Sequence, residues 1–155
     1  MQGPRIVVVD ADVYCQLFPQ RRASRGRATA WRASLAGSTV VIAVQTRAEV
    51  LTGALGNWGW DRMRATREQL DRTAPAPIDN AVVDAAQLTA DCQRVGYALH
   101  DKLQVADRWV ASTAIAHNLP LLSGDAFFRE APGCDSSGGR AMRVFVAESE
   151  RFRRP

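Results

Sequence analysis

Residues 7–15 read VVVDADVYC, in which three consecutive valines are followed by two carboxylates two positions apart. Consecutive β-branched residues predict a strand that is buried on both faces over residues 6–9. Comparable apolar runs predict further strands at 39–44, 119–122 and 143–147, and a shorter one at 76–78. Because helical patterns separate these runs, the sequence predicts a parallel sheet covered by helices on both faces.

The predicted helices lie between the strands, at residues 24–35, 46–55, 60–72, 80–95 and 102–117. The last stretch has the clearest periodicity, and Asp101 is expected to cap it while Gln104 reaches back to the cap. Gly53, Gly56 and Gly59 interrupt the region around the second and third stretches, which therefore forms either one helix or two.

The composition predicts a single α/β domain over residues 1–155. Of the 155 residues, 46% are hydrophobic, which is enough to close one core. The apolar runs are too short to cross a bilayer, and residues 1–5 lead into a strand rather than a signal-peptide core. Cys15, Cys92 and Cys134 are widely separated and lack a histidine at ligand spacing, which disfavours disulfide and zinc sites. We therefore expect a cytoplasmic protein without membrane contact.

Acidic residues follow the predicted strands at positions where they can meet. Asp10 follows the first strand and Asp125 follows the fourth, while Glu49 lies in the helix entered from the second strand. Asp107 lies beside the apolar face of the helix at 102–117. Ligands bind where loops leave the carboxyl ends of parallel strands, and an oxygen-only cluster suits Mg²⁺ or Mn²⁺. The acids therefore predict metal-dependent hydrolysis of a phosphodiester.

Each of these acids also has a purely structural interpretation. Asp10 can end a strand through an Asx-turn, and Asp125 can cap a short following helix. Glu49 can interact with a helix dipole, and Asp107 can pair with a nearby arginine. Their joint placement favours the functional interpretation.

Basic residues are concentrated near the start of the chain. The protein has 20 Lys and Arg against 16 Asp and Glu, which gives a net charge of +4. Arg21, Arg22, Arg25 and Arg27 lie close together. A basic stripe suits the backbone of a nucleic acid, although a solvated helix face explains it as well.

Several motifs resemble those of the PIN domain nucleases, and within them the VapC-like toxins of bacterial toxin–antitoxin pairs. The motifs are IVVVDADVYCQLF at the start, VIAVQTRAEVLTGAL in the middle and VADRWVASTAIAHNLPLLSGDAFF towards the end. The last is the most specific, because Asp, small helix residues, a turn, an apolar strand and Ser-x-Asp follow in the family's order. The resemblance covers nearly the whole chain.

The resemblance implies a three-layer α/β/α sandwich with a mainly parallel five-stranded sheet. It also implies an endoribonuclease that cleaves single-stranded RNA with Mg²⁺ or Mn²⁺, bound by Asp10, Glu49, Asp107 and Asp125. VapC-like members usually form homodimers and are held inactive by a VapB-like antitoxin, so both partners are expected here. Arg21, Arg22, Arg25 and Arg27 would then guide the RNA backbone.

Two positions near the acids need separate comment. Ser123 matches the small hydroxyl residue often found two positions before the last acid of the family, where it would orient a carboxylate or a water. Asp12 stands where the family commonly has Ser or Thr. It therefore either adds a fifth carboxylate to the site or turns outward.

Other functions compete with this interpretation. A haloacid-dehalogenase-like phosphatase also begins with a strand and Asp-x-Asp, but Tyr14 stands where a small residue is expected, Glu130 would have to replace a second late Asp, and Glu49 and Asp107 gain no role. A catalytically inactive PIN-like scaffold that binds RNA or a partner is the other alternative. Trp58 and Trp60 can stack on RNA bases, anchor an antitoxin helix or, as is most common for aromatic residues, pack into the core.

Overall fold

The computed structural model describes residues 5–18, 25–125, 127–128, 131–132 and 144–146. Within these ranges the strands are β1 (Arg5–Val9), β2 (Ser38–Ile42), β3 (Ala74–Pro75), β4 (Leu121–Ser123) and β5 (Val144–Val146). The α helices are α1 (Ala11–Leu17), α2 (Arg25–Leu35), α3 (Val44–Asn57), α4 (Trp60–Arg72), α5 (Ala85–Arg94) and α6 (Val105–Ala116). Short 3₁₀ turns lie at Val82–Asp84, Ala98–His100 and Lys102–Gln104.

The strands form one five-stranded sheet with the order β3-β2-β1-β4-β5, and every neighbouring pair is parallel. β1 lies at the centre, where Val8 pairs with Val41 of β2 on one side and with Leu121 of β4 on the other. This arrangement confirms the predicted parallel sheet. It also brings the carboxyl ends of β1 and β4 side by side.

Alternate residues of a strand point to opposite faces of the sheet, so both faces carry apolar side chains. Helices cover both of these faces. Val7 and Val9 of β1 belong to a core cluster on the face covered by α1 to α4, which includes Tyr14, Trp31, Val50 and Leu70. Val8 belongs to the cluster on the other face, which includes residues of α5 and α6 such as Cys92, Val110 and Ala114. The predicted three-layer α/β/α sandwich is confirmed.

The structure corrects several predicted element boundaries. α1 was not predicted, although Val13, Tyr14 and Leu17 are buried at helical spacing. α3 continues through Gly53 and Gly56, and Gly59 precedes α4, so the region forms two helices. α5 and α6 begin later than predicted because a 3₁₀ turn precedes each of them.

The predicted capping box at the start of α6 is wrong. Asp101 precedes the 3₁₀ turn Lys102–Gln104 instead of the α helix, and its side chain makes no capping hydrogen bond. Gln104 is the N-cap residue of α6 and makes no side-chain capping bond either.

None of the helices in the described ranges is both long enough and apolar enough to span a bilayer. Cys92 is fully buried in the core, as predicted for a small apolar side chain. Cys134 and Glu130 lie outside the described residues.

Candidate active site

Asp10 links the end of β1 to the start of α1. Its backbone N–H donates to the carbonyl of Leu122 at 3.0 Å, which fixes it beside the end of β4. One carboxylate oxygen, Oδ1, accepts from the N–H of Ala11 at 2.7 Å, so the residue caps α1. The side chain is buried, with Asp10 only 7% exposed. The predicted local structural role is therefore present, as a helix cap instead of an Asx-turn, but it occupies only one carboxylate oxygen.

Ser123, the last residue of β4, connects two of the predicted acids. Its hydroxyl donates to Oδ2 of Asp10 at 2.9 Å and accepts from the backbone N–H of Asp125 at 3.0 Å. Ser123 is completely buried. One hydroxyl thus bridges the carboxylate of Asp10 and the chain that carries Asp125, which is the geometry expected of a residue that orients a carboxylate.

Asp125 lies just beyond β4 and is exposed at the mouth of the cleft. Its Oδ1 accepts from the N–H of Phe127 at 2.9 Å, a local hydrogen bond of the kind that the capping interpretation predicted. This bond fixes the carboxylate direction without removing it from the cleft.

Glu49 and Asp107 reach the same cleft from two different helices. Glu49 lies beyond the first turn of α3, so the helix dipole does not account for it. Its Oε1 is buried and has no hydrogen-bond partner among the described residues. Asp107 lies in the first turn of α6, and the salt bridges of the described residues do not include it. The predicted pairing of Asp107 with an arginine is therefore not observed in this part of the chain.

The predicted acids line one open cavity of about 350 Å³. Its lining residues are Asp10, Ala11, Asp12, Glu49, Asp107, Gly124 and Asp125. Asp12 thus lines the cavity while remaining exposed to solvent. The sequence did not indicate Gly124 as a lining residue, because this residue contributes only its backbone to the cavity.

The electrostatics of the cavity favour protonated acids or a bound cation. Burial, with a smaller contribution from the charges of Asp12 and Asp107, raises the pKa of Asp10 from 3.8 to about 7. Burial also raises the pKa of Asp107, and the charges of Asp125 and Asp12 add to the effect. The pKa of Glu49 is raised by burial and then by Asp107, against a hydrogen bond with Gln45 that lowers it. A cation between these groups would relieve their mutual repulsion.

The donor set fits a hard divalent cation. As the side chains stand, no three His, Cys, Asp or Glu residues in the described ranges form a group that could hold a metal ion. Carboxylates without a cation repel one another, so the side chains would have to rotate to bind one ion together. The set contains only oxygen ligands, and the buried Oε1 of Glu49 has no hydrogen-bond partner in the described part of the chain. Both features suit Mg²⁺ or Mn²⁺.

A second cavity, of about 410 Å³, lies between α5 and α6. It has two carboxylates in its lining, but that of Asp91 already accepts from Gln87 and pairs with Arg94. Because it is the larger cavity but lacks a cluster of acids, size alone does not locate the chemistry. The carboxylate cavity is the stronger candidate for an active site.

The residues proposed for RNA contact are only partly described. Arg21 and Arg22 lie outside the described residues, and Arg25 and Arg27 belong to the first turn of α2. α2 runs close to the cavity, because a Cβ placed on Gly124 would lie 3.1 Å from the Cζ2 atom of Trp31. Contact between the beginning of α2 and a nucleic acid therefore remains a prediction.

The two tryptophans near the α3–α4 connection do not share one environment. Trp60 is 73% exposed, so the core-packing interpretation is wrong for this residue. The guanidinium of Arg62 lies 3.8 Å from the ring centre of Trp58, a cation–π contact. An exposed tryptophan at the tip of a helical hairpin is available for a partner.

Comparison with known proteins places these observations in a family. Residues 7–133 match the PIN domain. No match was found among curated protein sequences.

Solved structures share the fold over most of the chain. The FitAcB structure from Neisseria gonorrhoeae is similar with 22% identity and a TM-score of 0.62, over 90% of this chain and 96% of the other. VapBC2 from Rickettsia felis, bound to a DNA fragment from its promoter, has 15% identity and a TM-score of 0.66, over 92% and 99%. VapBC-5 from Mycobacterium tuberculosis, a toxin–antitoxin system, has 21% identity and a TM-score of 0.62, over 93% and 100%. The match to the PIN domain spans most of the length of this chain, and the chain therefore belongs to the PIN domain family.

Proposed function

We propose that this PIN domain is a Mg²⁺- or Mn²⁺-dependent endoribonuclease and the toxin of a VapBC-like toxin–antitoxin pair. The observation that carries the proposal is the meeting of Asp10, Glu49, Asp107 and Asp125, from four separate parts of the chain, in one cavity. PIN domains are generally nucleases and usually use divalent metals. RNA is the proposed substrate because the sequence motifs resemble those of VapC-like toxins.

The acids have distinct proposed tasks. Asp10 and Asp107 are the principal metal ligands, and Asp125 and Glu49 complete the set directly or through water. When bound, the cation supplies positive charge that activates a water and offsets the charge of the phosphodiester. Ser123 and Ala11 hold the Asp10 carboxylate in one orientation. Burial keeps bulk water away from this carboxylate and strengthens its attraction to a cation.

A single domain is part of the same proposal. The PIN domain match ends at residue 133, and β5 adds the edge strand beside β4. Because β5 lies beyond the match and still belongs to the same sheet, it supports one domain over residues 1–155.

A VapB-like antitoxin and a second copy of the chain are the proposed protein partners. The similar structures include VapBC-5 from Mycobacterium tuberculosis, a member of the VapBC family of toxin–antitoxin systems. The exposed Trp60 offers an anchor for an antitoxin helix. A small DNA-binding protein encoded beside this chain, and its copurification with the chain, would support the toxin assignment.

The phosphatase alternative is disfavoured by the site. It gave Glu49 and Asp107 no role, yet both line the cavity with Asp10. The inactive scaffold remains the second candidate, because the acids do not converge on a single point in their present rotamers. Cation binding and cleavage distinguish this candidate from the nuclease.

The test of the proposed function is cleavage of a structured RNA by the purified protein in Mg²⁺, in Mn²⁺ and in EDTA. We expect metal-dependent cleavage that leaves a 5′-phosphate, and no release of phosphate from a small phosphomonoester. A protein that binds RNA but leaves it intact in both metals would be the scaffold instead.

Replacing Ser123 with Ala should weaken both stability and cleavage. The variant loses the hydrogen bond to Asp10 and leaves the N–H of Asp125 without its acceptor. We expect a loss of about 1–3 kcal/mol in the free energy of unfolding and roughly 10–100-fold in activity. Denaturant unfolding and RNA cleavage measure the two effects.

Ser34 provides the matched control for Ser123. Its exposed hydroxyl donates to the carbonyl of Ala30, within α2. Ser34→Ala should leave cleavage unchanged, whereas Ser123→Thr should retain part of it through the remaining hydroxyl. Equal activity of Ser123→Ala and wild type would argue against a role for Ser123 in orienting Asp10.

A further inference from the structure

Asp12 contacts the turn that carries Asp125. Its Oδ2 accepts a hydrogen bond from the backbone N–H of Gly124 at 3.0 Å, across 112 positions of sequence. Its Oδ1 accepts from the N–H of Val13 at 2.6 Å, at the start of α1. Each carboxylate oxygen of Asp12 therefore holds a backbone N–H, and together they join α1 to the end of β4.

Gly124 leaves no room for a side chain beside Asp12. A Cβ at this position would lie 2.1 Å from Oδ2 of Asp12 and 3.3 Å from its Cγ. Gly37 and Gly96 have positive φ angles, but the requirement at Gly124 comes from this close approach. An acid at position 12 and a glycine at position 124 are thus sterically matched.

The turn beyond β4 is fixed by two side chains in succession. Asp12 accepts from the N–H of Gly124, and the buried hydroxyl of Ser123 accepts from the N–H of Asp125. The Asp125 side chain then lines the cavity with Asp10 and Asp107. Release of the Gly124 bond would loosen the chain immediately before Asp125, because the Gly124 N–H would lose the acceptor that ties it to α1.

We infer that Asp12 is a positioning residue that holds the Gly124 turn so that the carboxylate of Asp125 stays at the cavity. This inference rests on the proposed nuclease function for its kinetic consequence. Its structural part, the coupling of Asp12 to the turn, does not depend on catalysis. If Asp12 were instead a fifth metal ligand, its role would require the charge of the carboxylate and not only an oxygen that accepts a hydrogen bond.

The first experiment is a double-mutant cycle of Asp12→Ala and Asp125→Ala, read as kcat for RNA cleavage and as Mn²⁺ affinity. If Asp12 acts through Asp125, Asp12→Ala lowers kcat by roughly 10–100-fold in the wild-type chain and has little further effect when Asp125 is already Ala. Additive losses would overturn the inference.

The kcat of Asp12→Asn should lie between those of the wild type and Asp12→Ala, because the side-chain carbonyl of the asparagine can still accept from Gly124. Equal losses in the two variants would favour a fifth ligand.

The second experiment needs no nuclease activity. Amide hydrogen exchange of Gly124 and Asp125 should accelerate in Asp12→Ala, while that of Ala11 stays as in the wild type. Gly124→Ala should accelerate the same amides, and Asp12→Ala in that background should cause no further increase, because the bond is already broken. Unchanged exchange in Asp12→Ala would overturn the inference even if RNA is cleaved. Faster exchange in a protein that cuts no RNA would uphold the coupling and contradict only the proposed function.

Discussion

Asp107→Asn is expected to lower kcat/KM for RNA cleavage by about 100-fold or more while leaving the protein folded. The variant replaces a carboxylate that we propose as a metal ligand, which lies in the first turn of α6 and lines the cavity. A metal ion contributes several kcal/mol to stabilisation of the transition state, and each 1.36 kcal/mol corresponds to a tenfold change in rate. Removal of a carboxylate whose pKa is raised by burial and by neighbouring acids also relieves repulsion. The melting temperature of the metal-free variant should therefore equal or exceed that of the wild type.

Asp61→Asn supplies the control for the loss of one carboxylate. Asp61 lies in the first turn of α4, its side chain is 93% exposed, and its carboxylate is 3.5 Å from Arg64. This variant should cleave RNA at the wild-type rate. Wild-type activity of Asp107→Asn would remove Asp107 from the proposed site, and a melting temperature far below that of the wild type would attribute lost activity to unfolding.

The stability of the metal-free protein should fall as the pH rises from about 4 to about 7. Asp10 has a pKa of about 7 in the folded protein against 3.8 ordinarily, so within this window the folded state retains a proton that the unfolded state releases. Folding is then favoured at the acidic end, and the advantage is lost as the pH approaches the folded pKa. The raised pKa values of Glu49 and Asp107 act in the same direction. For Asp10 the effect is on the order of a few kcal/mol, or roughly 5–10 °C in melting temperature.

Thermal unfolding at pH 5 and at pH 8, with EDTA or with Mg²⁺, measures this effect. Mg²⁺ should raise the melting temperature at pH 8 much more than at pH 5, because a cation binds the ionised acids and competes with protons. Asp10→Asn should reduce the difference between the two pH values. A wild-type melting temperature that is higher at pH 8 in EDTA, with no response to Mg²⁺, would contradict the electrostatics described for the cavity.

The placement of the acids could be predicted because the topology determines it. Parallel strands bring their carboxyl ends to one edge, so Asp10 and Asp125 could be placed together once the strands were recognised. Glu49 and Asp107 followed from the helices that contain them. The cavity lined by these residues agrees with that prediction.

The role of Asp12 could not be predicted because it depends on a distant backbone group. Sequence patterns describe local periodicity, whereas the Asp12 carboxylate meets the N–H of Gly124 only after β1 and β4 have paired. A glycine beside an acid in LLSGD suggests a turn but gives no sign of a close approach to α1. The same limitation applies to the hydroxyl of Ser123, whose two partners become evident only in the folded chain.

Short elements were the least predictable part of the fold. α1 spans only seven residues, which is too few to establish a helical period, and Asp10 at its N-cap was also consistent with a turn. At Lys102–Gln104 a 3₁₀ turn replaced the first turn of the predicted helix. The capping motif predicted there did not form, and the connection from α5 to α6 contains two 3₁₀ turns instead.

Titration of the metal-free protein with Mn²⁺, followed by electron paramagnetic resonance, tests most directly whether the acids form one cation site. We predict saturable binding in the wild type, preserved in Asp61→Asn and competed by Mg²⁺, and a marked loss of affinity in both Asp10→Asn and Asp107→Asn. Absence of saturable binding in the wild type, or equal affinity in the wild type and Asp107→Asn, would contradict the assignment of this cavity as a metal-dependent nuclease site.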